Sequence, residues 1–281
     1  MPLLHAIVLG IVQGLTEFLP ISSSGHLLVV PWLFDWNDFN DPSVKKAFDV
    51  ALHLGTLAAV LGYFRRDLMT YARCGLRDGR KFLTHRIRPE SVEGRVAWYL
   101  VGASVPAALV GAIFENWIDE TLGTPTIIAF SLIIFGVVLA IADRNRGEKP
   151  LESMTWREAG VIGLAQVLAL NPGTSRSGIT ISAGRFLGLD RWSAARFSFL
   201  LSVPITAGAA AVKVSGLISE GFPDGLLIPM IVGIISSGVA GWLAVAGLLR
   251  LIRTSTFNVF VGYRIVLGCS ILVIVASGWR T

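Results

Sequence analysis

Gly10-Ile-Val-Gln13-Gly-Leu-Thr-Glu17-Phe-Leu-Pro20-Ile-Ser22-Ser23-Ser24-Gly25-His26 is the stretch whose reading decides the fold, because the chain repeats its pattern once. The second copy runs Gly163-Leu-Ala-Gln166-Val-Leu-Ala-Leu-Asn171-Pro172-Gly173-Thr174-Ser175-Arg176-Ser177-Gly178. An offset of 153 residues superposes Gly10 on Gly163, Gln13 on Gln166, Leu15 on Leu168, Ser22 on Ser175, Ser24 on Ser177 and Gly25 on Gly178. Six identities in sixteen aligned positions indicate one device used twice. Each copy follows an apolar segment and breaks it with a proline and a serine-glycine turn. Together they put a carboxylate, an imidazole, a guanidinium and a cluster of hydroxyls into oily sequence. Ionisable groups are expensive inside a bilayer and mark function there.

Working outward, the whole chain belongs in a membrane. It is 53% apolar before its thirty glycines are counted, and only 15% charged, with mean hydropathy +0.66. A soluble domain carries about 25% charged residues. The net charge of +5 is no nucleic-acid footprint, since the basic residues fall in the loops. Cys74 and Cys269 lie far apart, one in a basic loop and one in an apolar run, so no disulfide framework is expected. The N-terminal apolar stretch lacks a basic flank and contains Gln13 and Glu17, which reads as working protein rather than a signal peptide.

A crossing helix needs about 20 mostly apolar residues. Runs of that kind cover roughly 47–64, 96–114, 125–142, 191–212, 225–249 and 258–278. Four further pieces, about 3–19, 24–34, 158–170 and 177–188, are too short or too interrupted. Short paired segments at matching places in two halves read as re-entrant hairpins, whose irregular turns must be buried in protein or line a cavity. The expected fold is an all-α polytopic membrane protein with six full transmembrane helices and two re-entrant helical hairpins. It is one membrane domain over 1–281, with repeat halves about 1–142 and 157–278 joined by a cytoplasmic loop about 143–156.

Charge sets the sidedness. Segment 65–95 holds Arg65, Arg66, Arg73, Arg77, Arg80, Lys81, Arg86, Arg88 and Arg95, so it is expected in the cytoplasm. The loops with Glu115, Asp119 and Glu120, and with Glu220 and Asp224, then lie outside, and Arg250 and Arg253 return inside. One hairpin plus three spans per half turns the second half upside down relative to the first. The first hairpin dips in from outside, the second from the cytoplasm, and the serine turns meet within the membrane.

Ser22, Ser23, Ser24 and Gly25 read as the N-terminal cap of a half-helix, and so do Gly173, Ser175, Ser177 and Gly178. Such ends offer unpaired N–H donors and the positive end of the helix dipole, which suits phosphate. Glycine lets the backbone approach closely. Arg176 adds a fork-shaped permanent cation. Gln13 and Glu17, four apart, share a helix face. Glu17 is either an ion-pair partner for Arg176 or, with Gln13, a ligand for a hard divalent cation that bridges to phosphate, Mg or Ca. His26 is a packing residue, a proton carrier or a nucleophile. Asp49 and His53 are a supporting pair or a helix-start charge. Arg264, beside Tyr263 in the last span, calls for an anion or carbonyl partner.

With those residues the chain resembles the undecaprenyl-diphosphatase family of bacterial membrane phosphatases associated with bacitracin resistance. That family carries Glu/Gln-x-x-x-Glu, matched by Gln13 to Glu17, continuing as Phe-Leu-Pro-x-Ser-Ser-x-Gly-His over Phe18 to His26. Its second signature, Pro-Gly-x-Ser-Arg-Ser-x-x-Thr, is matched by Pro172 to Thr180. Position 13 is Gln where some members have a second carboxylate. The resemblance implies hydrolysis of undecaprenyl diphosphate to the monophosphate and inorganic phosphate, which recycles the lipid carrier for cell-wall glycans. It also implies dependence on a divalent cation, an inner-membrane location and a site open to the periplasmic or outer face. The family's catalytic positions carry over onto Glu17, Ser22, Ser23, His26, Ser175, Arg176, Ser177 and Thr180.

The expected partners are a polyprenyl diphosphate substrate and membrane lipid, with no nucleic acid; the sequence is compatible with a homodimer. Ser23, His26 and an activated water all stand as candidate nucleophiles. The rival class is a secondary transporter or flippase for an anionic lipid, because inverted repeats and midplane half-helix ends also serve transport. Gln13, Glu17 and His26 beside the anion cradle are what transport alone does not need.

Overall fold

The computed structural model describes residues 1–38, 42–85, 91–220 and 225–279, and over these the chain is helical. Its helices are α1 (Leu3–Phe18), α2 (Ser23–Phe34), α3 (Pro42–Tyr63), α4 (Arg65–His85), α5 (Val92–Leu122) and α6 (Pro125–Asp143), followed by α7 (Trp156–Val167), α8 (Arg176–Phe186), α9 (Arg191–Glu220), α10 (Leu227–Leu251) and α11 (Asn258–Ala276). Five of them, α5, α6, α9, α10 and α11, are long and apolar enough to cross a membrane. The pair α3–α4 makes a sixth candidate if counted as one span, although it bends by 81°. Many outward side chains on these helices, such as Ile134, Ile235, Val266 and Val273, are exposed and apolar. Lipid replaces water as the solvent for such a surface. Of the outer-loop charges used for sidedness, Asp224 lies outside the described residues, as do the side chains of Glu115, Asp119, Glu120 and Glu220; so do Arg86 and Arg88 of the basic segment.

The four short apolar pieces form α1, α2, α7 and α8, and both breaks have the same local cause. Leu19 is extended (φ −67°, ψ 142°) before Pro20, and Asn171 is extended (φ −76°, ψ 120°) before Pro172. A proline pushes its predecessor out of the helical region. Each turn then closes on a serine with positive φ, Ser22 at 76° and Ser175 at 73°. Ser22 Oγ accepts from Gly25 N at 3.3 Å, and Ser175 Oγ from Gly178 N at 3.0 Å. A non-glycine residue in that region costs of order 1–3 kcal/mol. Its appearance at both equivalent serines shows that the two turns are built alike.

Small residues let the short helices lie close to long ones. On α1, Gly10 faces Gly233 and Ser236 of α10, and Gly14 faces Ser237, Ala240 and Gly241; a Cβ on Gly14 would stand 2.5 Å from the Ser237 carbonyl oxygen. On α7, Gly163 faces Ala103 of α5 in the same manner. Close backbone approach at small residues is the usual cement between helices in lipid. The largest core cluster among the described residues includes Phe18, Phe197, Phe199, Leu200 and Val245.

The basic segment 65–95 contains the amphipathic helix α4, which turns its Tyr71, Gly75 and Asp78 face inward. Ser91 Oγ donates to Asp78 at 2.6 Å and caps α5 by accepting from Gly94 N, so one hydroxyl ties the two helices together. The linker 143–156 is bonded to the second half. Arg191 Nε donates to Asp143 at 2.6 Å, and buried Arg185 donates to the carbonyls of Asn145, Gly147 and Leu189.

Candidate active site

The two serine turns touch. Gly173 N donates to Ser22 Oγ at 3.1 Å, and Ser177 Oγ donates to the Leu19 carbonyl at 3.0 Å. Between them sits Arg264 of α11, fully buried, which spends its guanidinium entirely on main-chain oxygens. Its Nη1 donates to Pro20 O, its Nη2 to the carbonyls of Ser131, Gly173 and Thr174, and its Nε to Leu132 O, all at 3.0–3.3 Å. Arg264 therefore has carbonyl partners rather than an anion, and it clamps both turns to α6.

Against this clamp lies a cavity of about 390 Å³. Glu17, Ser22, Ser23, Ser24, Ser175 and Arg176 all face it. Glu17 is the hub. Arg176 Nη2 donates to its Oε1 at 3.0 Å, while Ser23 Oγ at 2.6 Å and Gln13 Nε2 at 3.0 Å both donate to its Oε2. The other arm of the Arg176 fork, Nη1, donates to the Ser198 carbonyl of α9 at 3.0 Å. Ion pairing across the two repeats is thus direct, and both fork arms are held by geometry a lysine cannot reproduce. The 2.6 Å contact makes Ser23 a hydroxyl already delivering its hydrogen to a carboxylate, the arrangement that activates a serine for attack.

Gln13, Gly25, His26, Gly173, Ser177, Gly178 and Thr180 are not part of the cavity lining. Gly25 and Gly178 donate the capping N–H groups of the turns. Gly173 adopts φ 92° and meets Ile128 and Ser131, where no side chain fits. Ser177 bridges to the first turn, and Thr180 Oγ1 bonds Ser198 Oγ at 2.7 Å, steadying the segment that holds Arg176. His26 points away, toward α11. Its Nδ1 is 2.6 Å from the Ser22 carbonyl and so donates there, which leaves Nε2 to accept from Tyr263 OH at 2.7 Å. The two rings stack. His26 is placed to hold the first turn in shape.

Sequence reading left Asp49 and His53 open, and did not single out Lys46. All three line the cavity from α3, and His53 Nε2 stands 3.8 Å from Glu17 Oε2. The available signal was polar residues at 46, 49 and 53, one helix face of an otherwise apolar span. The rest of the lining is mostly apolar: Val50 of α3, Ala169, and Ile205, Ala209 and Ala210 of α9, with Thr206 among them.

As for a cation, among the described residues no three His, Cys, Asp or Glu side chains converge on one point. The donors present are hard oxygens: the Glu17 carboxylate and Gln13 Oε1, which is buried with no partner. The cavity lining pairs Lys46 and Arg176 against Glu17 and Asp49, so its fixed charges cancel apart from His53. An anion entering this space brings uncompensated negative charge. That donor set would suit a hard divalent cation only if oxygens of a bound anion completed its shell.

The chain matches known proteins over nearly its whole length. The family model described as bacitracin resistance protein BacA matches residues 6–270. The chain is similar to the undecaprenyl-diphosphatase of Geotalea daltonii, 46% identical over 99% of this chain and 100% of that protein. It is also similar to those of Geobacter metallireducens, 47% identical over 97% and 98%, and of Moorella thermoacetica, 43% identical over 98% of each chain.

Proposed function

The chain belongs to the bacitracin resistance protein BacA family, and from that premise we propose that it is an integral membrane phosphatase that hydrolyses undecaprenyl diphosphate to undecaprenyl phosphate and inorganic phosphate, recycling the lipid carrier for cell-wall synthesis. The observation that carries this reading is the Ser23–Glu17–Arg176 constellation at the floor of a cavity with one oily wall. Transport of a lipid anion has no use for a hydroxyl pressed against a carboxylate at 2.6 Å.

Ser23 is the nucleophile in this proposal. Its proton passes to Glu17 as Oγ attacks the terminal phosphorus, and the bond from that phosphorus to the bridging oxygen breaks. Undecaprenyl phosphate departs with its tail along the Ile205–Ala210 wall. Glu17 gives up the first proton to the departing phosphate; water then attacks the phosphoserine, passing a proton to the restored Glu17 carboxylate, which hands it to Ser23 Oγ as inorganic phosphate leaves. Arg176 and the N–H groups of the two half-helix ends hold charge on the transferred group, which is most of what phosphoryl transfer asks of a protein. Gln13 and Glu17 would hold the divalent cation, which supplies charge neutralisation on the diphosphate.

The inverted-repeat architecture is part of the same proposal: two re-entrant hairpins (α1–α2 and α7–α8) and six full spans, in halves about 1–142 and 157–278. Supporting it are the matched positive-φ serines and the exchange of partners, with α1 lying on α10 of the other half and α7 on α5. The arginines at 144, 146, 191 and 253 share a second pocket with none of the lining of the first. Basic ends face the cytoplasm, which supports a catalytic cavity opening on the outer face of the plasma membrane.

Purified protein in detergent, where no sealed compartment exists, is expected to release phosphate from a prenyl diphosphate. Chelator is expected to stop this release, and Mg or Ca to restore it. Absence of phosphate release with added cation would overturn the reading; release unaffected by chelator would remove the cation from it.

A further inference from the structure

Three residues of α3 face the catalytic cavity although they belong to neither serine motif: Lys46, Asp49 and His53. Their spacing of three and four places them on one helical face. His53 fixes one end of that face beside the reacting carboxylate, 3.8 Å from Glu17 Oε2. Lys46 lies two turns away, about 10 Å along the axis. We propose that Lys46 receives the second phosphate of the substrate, the one that stays with the lipid, and thereby sets the preference for a diphosphate over a monophosphate. This inference rests on the reading that Ser23 and Arg176 hold the terminal phosphoryl group.

The argument runs through charge and shape. Ser23, Arg176 and the half-helix ends occupy one side of the cavity and converge on a single phosphoryl group. The lipid-linked phosphate must extend from there along a wall. The wall made by Ile205, Ala209 and Ala210 is apolar and suits the prenyl tail, whereas the α3 wall carries a cation. Asp49 faces the same space and offsets part of that charge. A phosphate bonded to an ammonium gains a charge-assisted hydrogen bond that no neutral side chain supplies.

The test compares wild type with Lys46→Gln, Lys46→Met and Lys46→Arg, using a prenyl diphosphate as substrate and inorganic pyrophosphate and orthophosphate as competitive inhibitors. Loss of the ammonium is expected to raise KM by about tenfold or more and to weaken pyrophosphate inhibition in proportion. Orthophosphate inhibition is expected to stay unchanged, and Lys46→Arg to restore both constants. Thermal unfolding of the detergent-solubilised variants separates a folding defect from a binding one, and Lys46→Met serves if Lys46→Gln is poorly folded. Unchanged KM, or equal weakening of both inhibitors, would overturn the proposal. Arg176→Lys is the control for the underlying reading: if it leaves orthophosphate inhibition untouched, the site assignment fails rather than the role of Lys46.

Discussion

Replacing Arg176 by lysine is expected to lower kcat/KM for a prenyl diphosphate by about 10²–10³-fold while the protein stays folded. The charge survives in this variant, so the loss isolates geometry. Arg176 divides its fork between Glu17 Oε1 and the Ser198 carbonyl, both at 3.0 Å, and this fixes the plane in which its remaining N–H groups meet phosphate. A lysine ammonium reaches one such partner at a time. Arg176→Ala is the less informative change. It leaves the buried Glu17 carboxylate without its cation, and breaking one side of a buried pair costs about 3–5 kcal/mol. Near-wild-type turnover by Arg176→Lys, measured as phosphate release, would remove the fork-geometry argument.

Arg264→Leu is expected to be the most destabilising single substitution at the site, by at least about 3 kcal/mol, and to abolish turnover although Arg264 does not face the cavity. Its guanidinium serves five carbonyl oxygens drawn from both serine turns and from α6. With leucine there, acceptors in a region that water does not reach are left without donors, and the two turns lose what binds them together. Arg264→Lys is expected to recover only part of the stability, because one ammonium cannot span five acceptors in the guanidinium plane. The measurement is the thermal unfolding midpoint in detergent beside phosphate release. A wild-type midpoint for Arg264→Leu would contradict the clamp.

Much of this was legible in the chain itself. The long apolar runs coincide with α5, α6, α9, α10 and α11, and the four interrupted pieces with α1, α2, α7 and α8. Apolar length and proline position are local properties, so one sequence suffices to read them. The nearness of Glu17 to Arg176 was signalled by the repeat, since each lies in one copy of the same serine turn and the two turns touch.

What escaped the sequence depends on helix rotation and packing. His26 adjoins the serines in the chain, yet at the start of α2 its direction is set by the stacked Tyr263 ring, 237 residues on. Lys46 and His53 lie in a separate segment, and only the orientation of α3 brings them to the cavity. Arg264 was recognisable as needing a partner; that the partners are carbonyls of two distant turns is a tertiary fact. The positive φ of Ser22 and Ser175 has no composition signal, because serine is a common cap in the ordinary extended conformation. Helix α4 was hidden by its charge, which marks a loop in a hydropathy profile even where an amphipathic helix forms.

The most direct measurement of the central claim is acid quenching of the protein during turnover of a prenyl diphosphate labelled in its terminal phosphate, followed by peptide mapping. The geometry predicts label on the peptide bearing Ser23, absent in Ser23→Ala, which should also lose turnover. Label on His26 instead, or sustained phosphate release by Ser23→Ala, would contradict it.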